Sequence, residues 1–533
     1  MHSECYPISI LPRLSRLFLD YAESREPLAP FFQASPYAPA WVQQSVVQDP
    51  ALRGRIADLL EEQNRGFGSS PATLANIQKL RDGASAVVTG QQVALFGGPL
   101  FTLHKAATAI RKAGEAGAVP IFWMATEDHD LAEADHVSLP ARHEMRTLRV
   151  KDDAAVAGRP VGTIKLGSGI QAVIDEAAEL LGPSAVLDAI QASYTPDATF
   201  SEAFGRLMAK IFAGQGLIVI DAADPRFHAA GAPVLRQAIE RAGELETALL
   251  ERGRLLASRH YDSQVLVTPS SSLLFLIDEE GRRVALKRRE EGTDSAVWVA
   301  GKKNYSTAEL LAILETEPGR LSPNALLRPV FQDYILPTAA YIGGPAEIAY
   351  FAQSQVVYQA ILGRTTPVLP RLSATLIEPA IAAVLAQFEL SLDDILRNRP
   401  DDIAQRLGAR TMPIEGKRKL AAAGNALDAE LNDVMQWMTA LNADLGKSAG
   451  VAARKMRYQM NRLRRLAASY QLQKEGSLRR HVDSLYLALL PDQHPQERMV
   501  GAAAYLARYG DALIPQLIES AAQECPGHRA IYL

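Results

Sequence analysis

The chain has 533 residues, of which 48% are hydrophobic and 22% charged, and its formal net charge is −4. This length exceeds what one compact core accommodates, so two or more structural units are expected. The near balance of 56 basic and 60 acidic residues argues against a general nucleic-acid binder. No run of about 18 or more apolar residues occurs, so no membrane-spanning helix is expected.

The two ends of the chain carry its cysteines, Cys5 and Cys525. The first residues show no basic stretch followed by a long apolar run, so no signal peptide is expected. No CxxC pair occurs, which excludes a disulfide-rich scaffold and a cysteine-built zinc site. We therefore expect two free thiols in a reducing cytoplasm.

Continuous apolar runs predict the core strands. After a helical, proline-interrupted region (1–82), an apolar run at 85–90 precedes a helical pattern at 100–116 and a second apolar run at 119–125. Strand, helix and strand with fully apolar strands are typical of a parallel βαβ unit. A third run, 217–221, ends in an acidic residue and favours an open, doubly wound α/β core.

Two segments interrupt this pattern. Residues 140–200 lack strong periodicity and are interpreted as an insertion. Residues 272–289 alternate and contain Glu279, Glu280 and Gly281, which predicts a β-hairpin with its turn there. Ser306 and Glu309 fit a capping box before a short helix.

The last third of the chain predicts a helical arm. Its apolar residues are spaced like a coiled-coil seam: Leu420, Leu427, Leu431, Val434, Met438, Leu441 and Leu445, then Met456, Met460, Leu463, Ala467 and Tyr470. The glycines within 446–450 predict the turn of an antiparallel hairpin. We divide the chain into a core (1–378), an arm (379–490) that forms a homodimer, and a segment (491–533) that packs back on the core.

The first candidate site is the loop after the first strand. Gly97 and Gly98 allow a close backbone approach, and the helix that follows offers free N–H groups to a phosphate. The other residues expected to contribute are Thr89, Gln91, Gln92, His104 and Lys105. A plain strand–turn–helix connection, with glycines for packing, is the alternative.

The second candidate site follows the strand at 119–125. It consists of Glu127, Asp128, His129 and Asp130, and ligands of open α/β sheets bind at such strand ends. The carboxylates suit an ammonium group, Mg²⁺ or sugar hydroxyls, and the histidine suits a general base. A solvated loop and a zinc site are alternatives, but no third histidine has a diagnostic spacing.

The third candidate site lies between 321 and 373. Its polar residues are Asn324, Arg328, Asp333, Gly343, Gly344, Glu347, Arg371 and Ser373. Arg328 suits a carboxylate or phosphate, or else a buried ion pair with Asp333 or Glu347. The basic stretch 451–480 is either a solvated coiled-coil face or an anion site.

Together these motifs resemble a known family. Segments 87–106, 119–130, 321–351 and 496–510 are similar to the proposed cysteine ligases of bacillithiol biosynthesis, BshC. The resemblance implies a Rossmann-like core with connecting-peptide insertions, here about 140–200 and 270–315, plus a coiled-coil domain used in dimerisation. It also implies addition of cysteine to glucosaminyl malate.

Amide formation is uphill in water, so we expect ATP, with or without Mg²⁺, to activate the cysteine carboxylate. The resemblance also implies a core similar to class I aminoacyl-tRNA synthetases and pantothenate synthetase. This chain keeps one histidine, His104, at the helix start where those relatives have two. No GxxxxGK[ST] motif occurs, so we expect a cysteinyl adenylate rather than an acyl phosphate. A nucleotidyl- or glycosyltransferase and a non-catalytic nucleotide-binding assembly protein are the alternatives.

Overall fold

The computed structural model describes residues 2–24, 28–32, 35–37, 41–42, 46–151, 156–291, 295–474, 476–522 and 525–533. The strands are β1 (His2–Tyr6), β2 (Ala86–Gln91), β3 (Val119–Met124), β4 (His136–Pro140), β5 (Met145–Arg149), β6 (Ile218–Asp221), β7 (Ser271–Ile277), β8 (Arg283–Glu291), β9 (Ser295–Ala300), β10 (Lys303–Ser306), β11 (Leu321–Pro323), β12 (Thr338–Gly343), β13 (Val368–Pro370), β14 (Ala374–Ile377) and β15 (His528–Tyr532).

The helices up to the end of the core are α1 (Arg16–Ala22), α2 (Pro50–Gly66), α3 (Pro71–Arg81), α4 (Phe101–Ala116), α5 (Ile170–Leu181), α6 (Ala185–Ser193), α7 (Phe200–Ile211), α8 (Pro225–Ala230), α9 (Ala232–Glu240), α10 (Ala242–Ser258), α11 (Thr307–Thr316), α12 (Arg328–Ile335) and α13 (Pro345–Leu362). The later helices are α14 (Pro379–Gln387), α15 (Leu392–Arg397), α16 (Pro400–Thr411), α17 (Ile414–Leu441), α18 (Ala443–Lys474), α19 (Gly476–Leu489), α20 (Gln496–Met499), α21 (Ala502–Tyr509) and α22 (Leu513–Ser520).

The described residues form two units. The Rossmann unit consists of Glu4–Thr375 and Pro495–Arg529, so most of the C-terminal segment belongs with the core. The coiled-coil unit consists of Met1–Ser3, Leu376–His494 and Ala530–Leu533. None of the described helices combines the length and apolarity needed to cross a membrane.

A five-stranded parallel sheet, in the order β13-β12-β2-β3-β6, forms the centre of the Rossmann unit. The three predicted strands are β2, β3 and β6, and the predicted βαβ unit is β2-α4-β3, so the expected open α/β core is confirmed. The chain leaves β2 toward β3 but leaves β12 toward β13 on the opposite side. The carboxyl ends of β2 and β12 therefore form a topological switch point, where ligands of such sheets bind.

An antiparallel sheet, in the order β10-β9-β8-β7-β11, occupies the second predicted insertion. Its β7–β8 hairpin is the one expected from the alternating pattern, with Phe275 opposite Ala285. The capping box of Ser306 and Glu309 at the start of α11 is also confirmed. The first insertion contains the β4–β5 hairpin and the helices α5 and α6, which the sequence pattern did not reveal.

The expectation of free thiols is wrong, because Cys5 and Cys525 form a disulfide within the Rossmann unit. They are 520 residues apart in sequence, and β1 is the neighbour of β15 in a three-stranded sheet. The sequence separation of the two cysteines therefore does not predict the disulfide, because it is the neighbouring position of β1 and β15 in the sheet that brings them together.

The coiled-coil unit contains the predicted antiparallel hairpin, formed by α17 and α18. Thr439 lies against Gly446, and Asp428 pairs with Arg457 at 2.7 Å, as expected for helices that run in opposite directions. The predicted turn at 446–450 is wrong, because the helices break at Asn442. Its Oδ1 accepts hydrogen bonds from the backbone N–H of Asp444 (2.8 Å) and Leu445 (3.2 Å) and so begins α18.

Candidate active site

A cavity of about 740 Å³ opens at the switch point of the parallel sheet. Gln91 and Gln92 at the end of β2 line one side, and Gly344 and Pro345 after β12 line another. Phe275 and Arg283 of the antiparallel sheet close a further side. The volume is within the range of small-molecule sites, and all lining residues belong to the Rossmann unit.

Five Lys and Arg residues line the cavity, and four of them lie away from the acidic loop and form what we term the cationic group: Lys105, Arg328, Arg371 and Arg498. Three of them surround the ring of Phe101, since Lys105 Nζ lies 5.9 Å, Arg371 Cζ 5.4 Å and Arg498 Cζ 5.9 Å from its centroid. A ring face stabilises such cations. The start of α4 lies at the same place, because Pro99 and Phe101 also line the cavity.

Lys105 is buried one turn into α4. Its Nζ donates hydrogen bonds to Gly90 O (2.7 Å) and Gln91 Oε1 (2.9 Å) and forms an ion pair with Glu347. Burial lowers the pKa of Lys105, and the charge of Glu347 opposes that shift. Burial would raise the pKa of Glu347, but Lys105 and the hydroxyl of Tyr341, at 2.6 Å, lower it below its ordinary value. Lys105 is therefore half of a buried pair beside the cavity.

Arg371 is held from behind by Glu497. Its Nη2 donates to Glu497 Oε1 at 2.6 Å and its Nη1 to Oε2 at 2.9 Å. His104 Nδ1 lies 3.3 Å from the same carboxylate, and its ring is completely buried. Burial acts to raise the pKa of Glu497, but Arg371 and His104 hold it well below its ordinary value. Glu497 is thus a buried anion that fixes a cavity-lining arginine.

Arg328 and Arg498 are the two members of the cationic group that form no ion pair with a described carboxylate. Arg328 Nη2 donates a hydrogen bond of 2.5 Å to the hydroxyl of Tyr350. Arg498 forms no ion pair of 4.0 Å or less with any described acid. Since Glu347 pairs with Lys105 and Glu497 with Arg371, the four cations face two carboxylates. An excess of two positive charges remains for an anionic ligand.

The loop after β3 forms what we term the acidic group, Glu127, Asp128 and Glu133, all of which line the cavity. Gln92 Nε2 donates to Asp128 Oδ2 at 2.6 Å and to Glu133 Oε2 at 3.4 Å. Burial would raise the pKa of Asp128, but Gln92 and Arg283 lower it below its ordinary value. Burial and the charges of Asp130 and Asp128 raise the pKa of Glu133. A cation bound here would relieve that repulsion.

Arg283 connects the antiparallel sheet to the acidic group. Its guanidinium lies 3.8 Å from the ring centroid of Phe275, and its Nη1 is 4.0 Å from Asp128 Oδ1 and 3.5 Å from His129 Nδ1. Ser322 Oγ (3.0 Å) and Pro323 O (2.9 Å) accept its remaining hydrogen bonds. The guanidinium is therefore fixed where it orients the predicted acidic loop.

The structure brings together residues from all three predicted sites. The predicted residues that line the cavity are Gln91, Gln92, Lys105, Glu127, Asp128, His129, Asn324, Arg328, Gly344, Glu347 and Arg371. Asn324 also begins α12, because its Oδ1 accepts from the backbone N–H of Leu326 (2.9 Å) and Leu327 (3.1 Å). One loop from each of β2, β3 and β12 thus contributes to one site.

The other predicted residues surround the cavity and do not line it: Thr89, Gly97, Gly98, His104, Asp130, Asp333, Gly343 and Ser373. In place of the expected phosphate contact, His104 faces Glu497. Gly97 does not line the cavity either, and its φ of +87° is a backbone conformation that favours glycine in the turn before α4. Asp333 accepts a hydrogen bond from Tyr358 at 2.8 Å, not from Arg328.

Sequence reasoning missed several residues of this site: Phe101, Glu133, His136, His228, Phe275, Arg283, Tyr350, Glu497 and Arg498. A signal for two of them was present, since Glu497 and Arg498 lie in the C-terminal stretch that carries the family resemblance. Arg283 lies in the predicted hairpin, but nothing in its local pattern indicates which sheet edge it meets. Among the described residues, no cluster of three or more potential ligands could hold a metal ion.

Comparison with known proteins agrees with this geometry. Residues 1–372 match the domain family described as Bacillithiol biosynthesis BshC, N-terminal Rossmann-like domain. Residues 374–533 match the one described as Bacillithiol biosynthesis BshC, C-terminal coiled-coil domain. The chain belongs to the BshC family.

Relatives of this BshC family member align over its length. A protein of Koribacter versatilis is 42% identical over 538 residues, covering 100% of both chains. Proteins of Solibacter usitatus (33% identical, 100% of both chains) and Salinibacter ruber (31% identical, 98% of this chain and 97% of the relative) are similar. All three are named as candidate cysteine ligases, BshC. The Rossmann-like core and coiled-coil domain expected from the sequence are confirmed.

Proposed function

We propose that this chain is a ligase that joins L-cysteine to glucosaminyl malate and so forms bacillithiol. The bond formed is an amide between the cysteine carboxyl carbon and the glucosamine nitrogen. Amide formation from a carboxylate and an amine is uphill in water, so the cysteine carboxylate must be activated, here by ATP. The observation that carries the proposal is one cavity lined by both a cationic and an acidic group.

The cationic group suits the malate end of the acceptor. Malate offers two carboxylates, and Arg328 presents a guanidinium whose counterpart in the structure is the neutral hydroxyl of Tyr350. Guanidinium and carboxylate match in a bidentate geometry. Within the cationic group, two guanidinium groups form no ion pair with a described carboxylate, so a dianionic ligand end is favoured there.

The acidic group suits the amines of the two substrates. Cysteine and glucosaminyl malate each carry an ammonium group at neutral pH, and Glu127 and Asp128 offer carboxylates to it. The acceptor amine must lose a proton before it attacks. His129, which lines the cavity beside Asp128, is the proposed general base.

ATP fits the part of the cavity at the start of α4. Lys105, Arg371 and Arg498 converge on Phe101 there and offer positive charge to the phosphates. Bound ATP would supply the activation of the cysteine carboxylate, with Mg²⁺ as its companion ion. We place this chemistry in the cytoplasm, where ATP is available.

A second copy of this chain is the proposed partner, with the coiled-coil unit as the interface. Apolar side chains remain exposed on α17 and α18: Val434, Trp437, Leu441, Leu445, Val451, Met456, Leu463, Leu466 and Tyr470. Trp437 is 63% and Leu441 is 60% exposed, one helical turn apart on α17. Apolar surface of this extent is typical of an interface.

The test is an assay of the purified chain with cysteine, glucosaminyl malate and Mg²⁺-ATP, with bacillithiol measured by mass spectrometry. We expect product formation and cysteine-dependent exchange of labelled pyrophosphate into ATP. Arg328→Gln should raise the KM for glucosaminyl malate about tenfold or more, because a hydrogen bond to a charged group contributes about 1.5–3 kcal/mol. Arg236→Gln, on the exposed face of α9, is the matched control.

The outcomes separate the alternatives. No C–N product with cysteine, but turnover of a sugar nucleotide, would contradict the ligase and support a transferase. Release of ADP and phosphate without pyrophosphate exchange would keep the ligase but replace the adenylate with an acyl phosphate. An unchanged KM in Arg328→Gln would remove Arg328 from the malate contact.

A further inference from the structure

His228, in α8, lies beside Glu127 of the acidic group and is buried, with only 2% of its surface exposed. Its Nδ1 is 2.7 Å from Leu321 O. Its Nε2 is 3.1 Å from Ala222 O and 2.9 Å from Glu127 Oε1. The aromatic ring of Phe331, 5.7 Å away between centroids, packs against it.

These partners determine the protonation of the ring. A backbone carbonyl can only accept a hydrogen bond, so Nδ1 must carry a hydrogen toward Leu321 O. Nε2 faces Ala222 O as well, and a lone pair on Nε2 would be directed at the lone pairs of that carbonyl. Both nitrogens therefore carry hydrogens, and the ring is an imidazolium.

The charge of this imidazolium has one counterpart, the carboxylate of Glu127. Glu127 is 7% exposed and lines the cavity. Burial of a carboxylate is costly unless a cation pairs with it, and His228 is placed to do so. The other charged groups near it are Arg283, from the antiparallel sheet, and Asp128, the next residue in its loop.

We propose that His228 is a positioning residue whose imidazolium pairs with the carboxylate of Glu127 and holds it at the cavity, where Glu127 binds the ammonium group of the amino substrate. This inference rests on the proposed function for the identity of that substrate. The pKa of His228 is consistent with it, because burial acts to lower the pKa but Glu127 and the two carbonyls raise it above its ordinary value. Nothing in the local sequence pattern around His228 indicates this role.

The first measurement is ¹⁵N NMR of the histidine rings in the intact chain, which has 10 histidines. We expect the His228 ring to have both nitrogens protonated at pH 7, and its signals should disappear in His228→Asn. Glu127→Gln provides a second variant, in which the same ring should lose a proton because its counter-charge is gone. A neutral His228 ring in the wild-type protein at pH 7 would overturn the proposal.

The second measurement is calorimetric binding of glucosaminyl malate and of its N-acetylated form, which lacks the ammonium group. His228→Asn should weaken glucosaminyl malate binding about tenfold and leave the N-acetylated form unchanged. In the Glu127→Gln background, His228→Asn should have no further effect, since both act through one carboxylate. His143→Asn, an exposed histidine outside the cavity, is the matched control.

These readouts separate the inference from the proposed function. Ring protonation and ammonium binding are measured without turnover, so an absent ligase reaction would contradict the proposed function alone. Equal affinities of wild type and His228→Asn for glucosaminyl malate would overturn the role of His228, whatever the reaction. Equal weakening of both ligands would also overturn it, because a general structural role predicts that result.

Discussion

Arg371 and Glu497 are 126 residues apart in sequence and form a two-pronged ion pair with both side chains almost completely buried. The carboxylate of Glu497 also accepts from the backbone N–H of Ala374 at 3.1 Å. One face of Arg371 is thereby fixed, while the residue lines the cavity. The last part of the Rossmann unit thus orients a cation of the active site.

Replacing Glu497 with Gln should destabilise the protein by about 3–5 kcal/mol, because it leaves a buried guanidinium without its counter-charge. Denaturant unfolding of the full chain measures the free energy of unfolding of the Rossmann unit in each variant. Glu519→Gln, on the exposed face of α22, is the control and should change stability by less than about 0.5 kcal/mol. Equal stabilities of the two variants would show that the pair contributes little.

His528 should make the fold sensitive to mild acid. Its ring nitrogens contact Ser373 Oγ and Thr375 Oγ1, each at 2.8 Å, and burial lowers the pKa of His528 from 6.5 to about 4. The neutral form is favoured by folding, so its stability contribution is complete above pH 6.5 and is lost as the pH falls toward 4. The loss is about 3 kcal/mol.

The measurement is the free energy of unfolding between pH 4 and 7 for wild type and for His528→Asn, which keeps hydrogen-bonding capacity. We expect a shallower pH dependence in the variant. His143→Asn should retain the wild-type slope. Parallel curves for all three proteins would mean that another group causes the acid sensitivity.

Removing the disulfide should lower stability by a few kcal/mol, since it closes a very long loop. Cys5→Ser and Cys525→Ser should each show this loss under oxidising conditions. Reductant should destabilise the wild type to the same level and leave both variants unchanged. Alkylation of the native, unreduced protein should label no cysteine, and labelling of both would contradict the disulfide.

Two glycines of α18 should respond oppositely to alanine. A Cβ at Gly446 would lie 2.3 Å from Thr439 Oγ1, so Gly446→Ala should separate α17 from α18 and lower the melting temperature of the arm. At Gly450 the nearest atom is 3.9 Å away, in the side chain of Met435. Gly450→Ala should be neutral or should stabilise the arm by up to about 1 kcal/mol. Thermal unfolding of both variants, monitored by circular dichroism, measures these effects.

Charges on the exposed side of the arm should produce monomers. Trp437→Glu with Leu441→Glu should lower the mass measured by light scattering to that of one chain, because the substitutions place carboxylates in the proposed interface. Leu266→Glu, at a leucine of the Rossmann unit that is even more exposed, should have no effect. A dimer that persists in the double variant would place the interface elsewhere.

Local patterns were sufficient for the central strands and for the helices of the arm, but only for part of the site. The runs that became β2, β3 and β6 are predictable because buried parallel strands are apolar throughout. Asp128 was predictable because it follows an apolar strand directly, and Arg328 because it is a polar residue in an otherwise apolar stretch. His228 and Glu497 were not, since their partners come from distant segments of the chain.

Glycine showed the same limit. Gly97 was interpreted as a ligand contact, but the feature that favours glycine there is its positive φ of +87° in the turn before α4. Gly446 was interpreted as a turn and instead permits two helices to approach. A glycine in a sequence indicates that a side chain is unfavourable at that position. Whether the reason is a positive φ or a closely packed neighbour depends on the tertiary fold.

The pairing of Arg371 with Glu497 also has a consequence for synthesis of the chain. At about 5–20 residues per second, a ribosome delivers Glu497 roughly 6–25 s after Arg371, given their separation of 126 residues. The parallel sheet is already complete at Pro370, so a nascent chain can fold its core while the arginine still has no counter-ion. The wall of the cavity is therefore finished last, and a product truncated before Glu497 would expose an uncompensated cation to the quality-control machinery of the cell.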